Sequence, residues 1–328
     1  FEQNITHAPG MEHVREMVTG PIIPTPGAVM ECTKLLYEYL GDLIVLDVGG
    51  ATTDLHSVTV ESDQVARLMI SPEPKAKRTV EGDLGVYVNR WKVVESIGEE
   101  KLREQCREQG FSMEHALETY RAIPKTEEEV KLVELLTREA VVKAAERHAG
   151  RLRYIYGPSG RSTVAEGKDL TQVKYIVGTG GALTRLPHRE EIMREITRCN
   201  ESGMLLLPGE HAQILVDHDY IMASLGVLSK RYPQAAARLL EQSLGITFPE
   251  RKAEEPVPVC NKELSRLETQ RQQREEELQR HIEECEAMGY DMSAYRENKP
   301  KAGDCSHECS RCTRLHCPNR TTQEGASS

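Results

Sequence analysis

The sequence predicts an α/β fold, and two kinds of pattern support that prediction. A continuous apolar run at 43–46, Leu-Ile-Val-Leu, is typical of a buried central strand, and residues 55–60 alternate as a second strand does. Another apolar run at 173–177 suits a further strand. Residues 27–40 and 99–149 instead carry apolar side chains at helical spacing. Strands and helices that share one chain in this way favour the α/β class.

The bulk composition excludes several function classes. The chain has 328 residues and a net charge of -10, so no broad basic face is available for nucleic acid. No apolar run approaches the roughly 20 residues of a membrane span, and no signal peptide is visible. Five of the nine cysteines are scattered, which favours a reducing compartment over a disulfide scaffold. We therefore expect a cytoplasmic protein without a nucleic-acid or membrane partner.

The first 40 residues are predicted to form a short helix, an extended connector and a second helix. A helix is predicted over 11–18, and the prolines within 21–26 require an extended connector. From 27 to 40, Val29, Cys32, Leu36 and Leu40 recur at helical spacing, so this helix leads directly into the strand at 43–46.

A glycine turn with acids and hydroxyls follows that strand. Asp47 precedes Gly49 and Gly50, and the doubled threonine Thr52-Thr53 precedes Asp54. Such a hairpin wraps backbone N–H groups around a phosphate, and its two carboxylates suit a hydrated Mg²⁺. The alternative is a plain glycine hairpin with capping aspartates.

The middle of the chain is predicted to be mostly helical. A third strand is expected at 64–70, a polar loop at 71–78, and a helix from an Asp83 N-cap through Trp91. Within 99–149, Thr126 and Glu129 form a capping box. We expect His148 to be a packing or surface residue rather than a catalytic one.

A second glycine cluster lies in the last third of the α/β region. A short strand at 151–156 and a glycine- and serine-bearing loop at 157–168 lead to the strand at 173–177. The glycines Gly178, Gly180 and Gly181 then stand between that strand and a helix, where backbone N–H groups favour anions. The spacing is not that of a Rossmann fingerprint.

Three further elements complete the predicted α/β region. We expect a helix at 190–197, a strand at 204–207, and a helix rich in small residues at 221–228.

Residues 47–54, D-V-G-G-A-T-T-D, resemble the second phosphate loop of the actin, sugar kinase and DnaK-type chaperone superfamily of ATPases. The string V-G-T-G-G-A-L-T-R at 177–185 resembles the adenosine motif of that superfamily. Both strings, with R-T-V-E-G-D-L-G at 78–85, are closer still to the MutL/GlmL family, whose members are encoded beside the cobalamin-dependent glutamate mutase. The resemblance implies an actin-like (ribonuclease H-like) second lobe over 27–250, with a helical insertion subdomain at about 79–170.

The resemblance also implies a site and a partner. Asp47 and Asp54 would be the catalytic acids that hold Mg²⁺ through water. ATP would be bound by the residues of both glycine motifs: Gly49, Gly50, Thr52, Thr53, Gly178, Gly180 and Gly181. The implied function is an ATP-dependent, chaperone-like reactivation of an adenosylcobalamin-dependent aminomutase of the glutamate mutase type.

Two departures from the superfamily pattern affect the expected activity. No D-x-G-x-T string precedes Pro21, so we expect residues 1–26 to be a first-lobe remnant and connector, and this chain alone to bind nucleotide weakly. Whether it is an ATPase then depends on the first lobe. In the chaperones a glutamate precedes the proline that matches Pro26, whereas here the residue is Thr25, which leaves the hydrolytic rate open.

The tail is predicted to differ from the rest. Residues 251–288 read as a polar linker helix, and 289–328 as a mostly irregular Cys-rich segment. Cys305, Cys309, Cys312 and Cys317 are spaced C-x3-C-x2-C-x4-C-P, which leaves zinc, an iron–sulfur cluster or no metal as alternatives.

Other functions remain open at this stage. The cysteine tail also suits an activator ATPase with an iron–sulfur cluster, of the 2-hydroxyacyl-CoA dehydratase activator type. A half ATPase kept as a nucleotide-independent docking module is the second alternative, and a small-molecule kinase is the third. A D-x-G-x-T motif upstream of Phe1 would argue against the docking module.

Overall fold

The computed structural model describes residues 11, 22–157, 160–200, 202–249 and 280. Internal contacts divide the chain into two units, Phe1–Arg251 and Lys252–Ser328. The predicted linker helix at 251–288 and the segment 289–328 with its four cysteines lie outside the described residues, Arg280 excepted. Of the helix predicted at 11–18, only Met11 is described, and it is helical.

The described part of the first unit contains seven strands. They are β1 (Leu43–Val48), β2 (Thr53–Val58), β3 (Ala76–Glu81), β4 (Arg151–Gly157), β5 (Gly160–Glu166), β6 (Tyr175–Thr179) and β7 (Gln213–Val216). The α-helices are α1 (Thr25–Leu40), α2 (Asp63–Ala66), α3 (Arg90–Ile97), α4 (Glu99–Glu108), α5 (Met113–Glu118), α6 (Glu127–His148), α7 (Gly180–Arg185), α8 (Arg189–Arg194), α9 (Met222–Ser229) and α10 (Pro233–Leu244). A 3₁₀ turn, Glu195–Thr197, follows α8.

Five strands form one mixed sheet in the order β3-β2-β1-β6-β7. β1 pairs antiparallel with β2 and parallel with β6, and β7 continues the parallel part. Strands β4 and β5 form a separate two-stranded hairpin. This arrangement confirms the predicted α/β class, with the apolar run at 43–46 as the central strand.

Helices cover both faces of the sheet, so every residue of the central apolar run is buried. Ile44 and Leu46 point into a core shared with α6 and α8. Leu43 and Val45 point into a second core shared with α1, α9 and α10. Because each fully buried aliphatic side chain contributes about 1.5–3 kcal/mol, the two cores fix the position of β1 and of the turn that follows it.

The helices α1 and α9 cross at very short range. A Cβ built on Gly226 would lie 1.8 Å from the carbonyl oxygen of Ala28, so only glycine permits this approach. α1 begins at Thr25 with Pro26 in its first turn, and ends at Gly41, which has a φ of 77°. The helices predicted at 27–40 and 221–228 are both confirmed.

The long helix α6 was also predicted correctly. Thr126 and Glu129 form the expected capping box at its start. At its end, the His148 ring is buried and hydrogen-bonded on both nitrogens, to Ser57 (2.7 Å) and Thr79 (2.9 Å). His148 is therefore a packing residue that ties α6 to β2 and β3.

The third strand was predicted at the wrong place. Residues 64–70 do not form a strand, because the Ser62 hydroxyl caps a single helical turn, α2, at this point. The strand is instead β3, in the stretch that includes the expected polar loop. β3 is an edge strand with alternating partial exposure, so its charged residues reach solvent and mask the strand pattern.

The helix predicted from Asp83 through Trp91 is wrong at its start. The helix α3 begins only at Arg90. Asp83 caps no helix, because both its carboxylate oxygens accept hydrogen bonds from Arg147 at 2.8 Å.

Two expectations around the separate hairpin are also wrong. Within the predicted loop at 157–168, residues 160–166 form strand β5 instead, because they pair along their whole length with β4. In 204–207 only Leu205 makes a β-bridge, to Arg151, and the sheet strand is β7 further on. The helix predicted at 190–197 is confirmed as α8 with its 3₁₀ turn. The predicted boundaries of the insertion subdomain stay predictions.

None of the helices in the described ranges is long and apolar enough to cross a membrane.

Candidate functional site

Four polar residues form a row across one end of the main sheet. Asp47 lies directly opposite Asp54 of β2 on one side and Thr179 of β6 on the other. Asp217 follows β7 and accepts a hydrogen bond from the Thr179 hydroxyl at 2.8 Å. Residues that stand opposite one another in neighbouring strands point to the same face. The row lies at the carboxyl ends of the parallel strands, where open α/β sheets bind their ligands.

The glycine turn after β1 is held on its carbonyl side. The carbonyls of Gly49 and Gly50 accept hydrogen bonds from the backbone N–H groups of residues 86–88. The Asn89 side chain donates to the Ala51 carbonyl at 2.8 Å. The turn is therefore fixed to the segment before α3.

The backbone N–H groups of the same turn differ from its carbonyls in their hydrogen bonding. Gly49 donates across the turn to the Thr52 carbonyl at 2.9 Å. Within the described residues, the N–H groups of Gly50, Ala51 and Thr52 donate no hydrogen bond. Gly50 and Ala51 are exposed, so these donors are accessible. A run of such free N–H groups forms a concave site that suits an anion.

The second glycine motif meets the first directly. Gly180 has a φ of 85°, which L side chains rarely adopt. A Cβ on Gly180 would lie 2.5 Å from Oδ1 of Asp47 and 2.6 Å from the backbone nitrogen of Val48. Residue 180 must therefore be glycine for the end of β6 to contact the end of β1.

The neighbouring glycines have separate roles. A Cβ on Gly178 would lie 2.5 Å from the sulfur of Met193 in α8, so Gly178 serves close packing beneath the site. Gly181 faces open space, with no atom within 4 Å of a built Cβ. Of the three predicted residues of this motif, Gly180 contacts the row of polar residues, through Asp47, and Gly181 follows it in the chain.

The two acids of the turn have strongly shifted pKa values. Burial raises the pKa of Asp47 to about 6, and the charge of Asp217 adds to the shift. Burial also raises the pKa of Asp54 to about 6, with a further contribution from Asp47. The Thr52 hydroxyl and Arg78 act in the opposite direction on Asp54. Shifts of this kind are typical of carboxylates at functional sites.

Within the row of polar residues, one carboxylate oxygen is buried and has no hydrogen-bond partner among the described residues. It is Oδ1 of Asp54. A buried oxygen acceptor beside a second carboxylate suits a hard cation such as Mg²⁺. The described residues contain no group of three acidic, histidine or cysteine side chains that could enclose a metal on their own. Mg²⁺ typically uses one or two carboxylates, waters and substrate phosphates, so the donor set fits.

The two threonines of the turn differ. Thr52 is half-buried at the surface of the site, and its hydroxyl acts to lower the pKa of Asp54. Thr53 is fully buried, and its hydroxyl donates to the Leu84 carbonyl at 2.8 Å. In this conformation Thr53 thus positions the segment before α3, whose residues 86–88 hydrogen-bond the turn.

The sequence analysis missed Asp217. This fully buried carboxylate accepts hydrogen bonds from Thr179, from the Ser243 hydroxyl at 2.6 Å, and from the N–H groups of Ile221 and Met222. Asp217 therefore connects the end of β6 to the start of α9 and to α10. The only sequence signal is an acid between a short apolar run and a small-residue helix.

The fold and the site define an α/β domain in which two glycine turns meet a row of buried and partly buried carboxylates. The family model described as MutL protein matches residues 1–244, and the chain belongs to this family. It is 34% identical over 256 residues to Protein MutL of Clostridium tetanomorphum. The match covers 74% of this chain and 55% of that relative, so the chain spans about half the relative's length.

Proposed function

We propose that this chain supplies the ATP-binding lobe of an actin-like ATPase. The observation that carries the proposal is the contact between the two glycine motifs, through Gly180 and Asp47. Two turns that lie far apart in sequence then face one ligand at the carboxyl end of the sheet. The free N–H groups of Gly50, Ala51 and Thr52 suit its phosphates.

The residues of the site divide the work of binding. Asp47 and Asp54 would hold Mg²⁺, which neutralises phosphate charge when bound. The 49–52 turn donates hydrogen bonds to the phosphates, and Gly180 and Gly181 keep the adjoining surface open for the rest of the nucleotide. Asp217 and Thr179 position the turn that carries Gly180 and Gly181. Phosphoryl transfer depends mainly on such positioning and electrostatics.

The partner that we propose is an adenosylcobalamin-dependent aminomutase of the glutamate mutase type. Membership of the MutL family supports this choice, together with the resemblance to proteins encoded beside that mutase. In the proposed reaction cycle, ATP binding and hydrolysis shift the lobes of the whole protein and release damaged cobalamin from the mutase.

The first test is a calorimetric titration of MgATP into the whole protein. We expect binding by the wild type and at least a tenfold loss in Asp54→Asn, because the substitution removes one anionic ligand. Gly157→Ala is the control, since a Cβ there meets no atom within 4 Å. A wild type without affinity, or an Asp54→Asn variant with unchanged affinity, would contradict the ATP-binding proposal.

The second test concerns the mutase. A mutase inactivated during turnover is incubated with the whole protein, MgATP and fresh adenosylcobalamin, and its activity is measured. Recovery is expected with the wild type and not with Asp54→Asn. If MgATP binds tightly but no activity returns, the ATPase assignment stands and the reactivation role is wrong.

A further inference from the structure

The β4–β5 hairpin carries exposed apolar side chains that the proposed nucleotide site does not use. Its base is anchored to the domain on both edges. Leu152 donates to the Met204 carbonyl at 2.7 Å, and Ala165 donates to the Leu68 carbonyl at 2.7 Å. Leu152 and Ala165 also pack in a small core with Val65. The base of the hairpin is therefore fixed to the domain.

Beyond this base the hairpin exposes aromatic surface. Tyr154 is 48% exposed and Tyr156 is 78% exposed. Both lie on the same face of β4 as Leu152, because they are two and four residues further along the strand. The Arg161 guanidinium lies 4.5 Å from the Tyr154 ring centroid. Ile155, 50% exposed, points to the other face. Clustered Tyr and Arg side chains are typical of the energetically important centres of protein interfaces.

The charge of the hairpin indicates the chemistry of the surface that covers it. Residues 151–166 contain three arginines and one glutamate, in a chain whose net charge is -10. The glutamate, Glu166, is paired with Arg153 at 2.7 Å. Among the described residues, no acidic side chain forms an ion pair with Arg161, so its charge is available beside the tyrosines. A complementary partner presents carboxylates around apolar pockets.

We propose that the hairpin is the docking element for an acidic surface of the partner enzyme, with Tyr154 and Tyr156 as anchors and Arg161 as the charged contact. The identity of that enzyme as the mutase rests on the proposed function. The tyrosine rings enter apolar pockets, and Arg161 pairs with a carboxylate at their rim. Since part of the attraction is electrostatic, added salt weakens docking.

The experiment measures mutase binding and MgATP binding separately, on the same whole protein. Tyr154→Ser/Tyr156→Ser and Arg161→Glu are the test variants, with immobilised mutase as the ligand surface. We expect each to weaken mutase binding at least tenfold and to leave MgATP affinity unchanged. Tyr232→Ser is the control, because Tyr232 is about as exposed as Tyr154 and also carries an arginine, Arg231, over its ring.

Each outcome decides a different claim. If the wild type does not bind the mutase, the partner in the proposed function is wrong, and the docking proposal falls with it. If the wild type binds and the hairpin variants bind equally well, the hairpin is not the docking element. Loss of self-association in sedimentation, or loss of binding to anionic lipid vesicles, with mutase binding intact would also overturn it. Circular dichroism melting checks that the variants remain folded.

Discussion

Asp47 and Gly180 are in contact, although 132 residues separate them in the chain: a Cβ on residue 180 would lie 2.5 Å from Oδ1 of Asp47. β1 and β6 are parallel neighbours, so their carboxyl ends bring the two turns together. The contact explains why a glycine follows Thr179. It also makes the carboxylate of Asp47 part of both turns.

The first prediction concerns Gly180→Ala. The new Cβ meets both a strained φ and the Asp47 carboxylate, so the variant should lose more stability than a strained φ alone causes. Gly98→Ala is the control, because Gly98 has a φ of 88° and open space around it. We expect about 1 kcal/mol of destabilisation for Gly98→Ala and at least twice that for Gly180→Ala in urea unfolding. Equal losses would contradict the contact.

The second prediction concerns Asp47→Asn. Burial raises the pKa of Asp47 from 3.8 to about 6, so its stabilising contribution is present below pH 3.8 and is lost as the pH rises through 6. At neutral pH the charged carboxylate therefore destabilises the folded state. We expect Asp47→Asn to raise the free energy of unfolding by about 1–2 kcal/mol at neutral pH, and by much less near pH 4.

The control for Asp47→Asn is Asp83→Asn. The hydrogen bond from Arg147 holds the pKa of Asp83 below its usual value, so its charge stabilises the folded state above that value. Asp83→Asn should therefore not stabilise the protein at neutral pH. A gain in both variants, or a loss in Asp47→Asn, would show that burial does not dominate at Asp47.

The third prediction concerns two buried histidines. Burial lowers the pKa of His56 and of His148 from 6.5 to about 3. Because the unfolded chain binds these protons first, folded stability is lost as the pH falls from 6.5 towards 3. Neither ring nitrogen of His56 has a hydrogen-bond partner among the described residues. Relative to wild type, His56→Leu should gain about 2 kcal/mol between about pH 8 and about pH 5.

His148→Leu provides the comparison for His56→Leu. It removes the same acid sensitivity but leaves the buried hydroxyl of Ser57 and the partly buried hydroxyl of Thr79 without the ring as a partner. We expect it to be less stable than wild type by about 1–3 kcal/mol near pH 8. Chemical denaturation at both pH values measures both effects, and identical behaviour of the two variants would contradict the different hydrogen bonding.

The fourth prediction concerns Asp217→Asn. The amide keeps the shape of the side chain, but its nitrogen accepts no hydrogen bond, so one of the donors from Thr179, Ser243 and the start of α9 is left unpaired. We expect a loss of about 1–3 kcal/mol in unfolding free energy, together with weaker MgATP binding. Asp219→Asn is the control, because Asp219 contributes its backbone N–H to Ser243. Equal effects of both substitutions would contradict a positioning role for Asp217.

Strong local patterns were enough to predict the central parts of the fold. The apolar run of β1, the periodic face of α1 and the capping box of α6 each have one physically reasonable structure. β3 and β5 could not be predicted in this way, because both strands are largely exposed or only partly buried, so their polar side chains do not mark a buried face. Their pairing is set by tertiary partners.

In the candidate site, too, the residues of local motifs were predicted, whereas the features that depend on the fold were not. Asp47, Asp54 and the glycines were predicted from their motifs, because the residue types of a turn are determined by a few consecutive positions in the sequence. The contact of Gly180 with Asp47 depends on strand order, which local sequence does not encode. Asp217 was missed because its importance comes from hydrogen-bond partners on three other elements.

Hydrogen–deuterium exchange of the whole protein, with and without MgATP, tests most directly whether both turns bind one ligand. The N–H groups at 50–52 have no partner among the described residues, so they should exchange fast without ligand. We predict that MgATP slows exchange in peptides covering 49–53 and 178–182 together, and that Asp54→Asn abolishes both effects. Protection of only one of the two peptides at saturating MgATP would contradict the account.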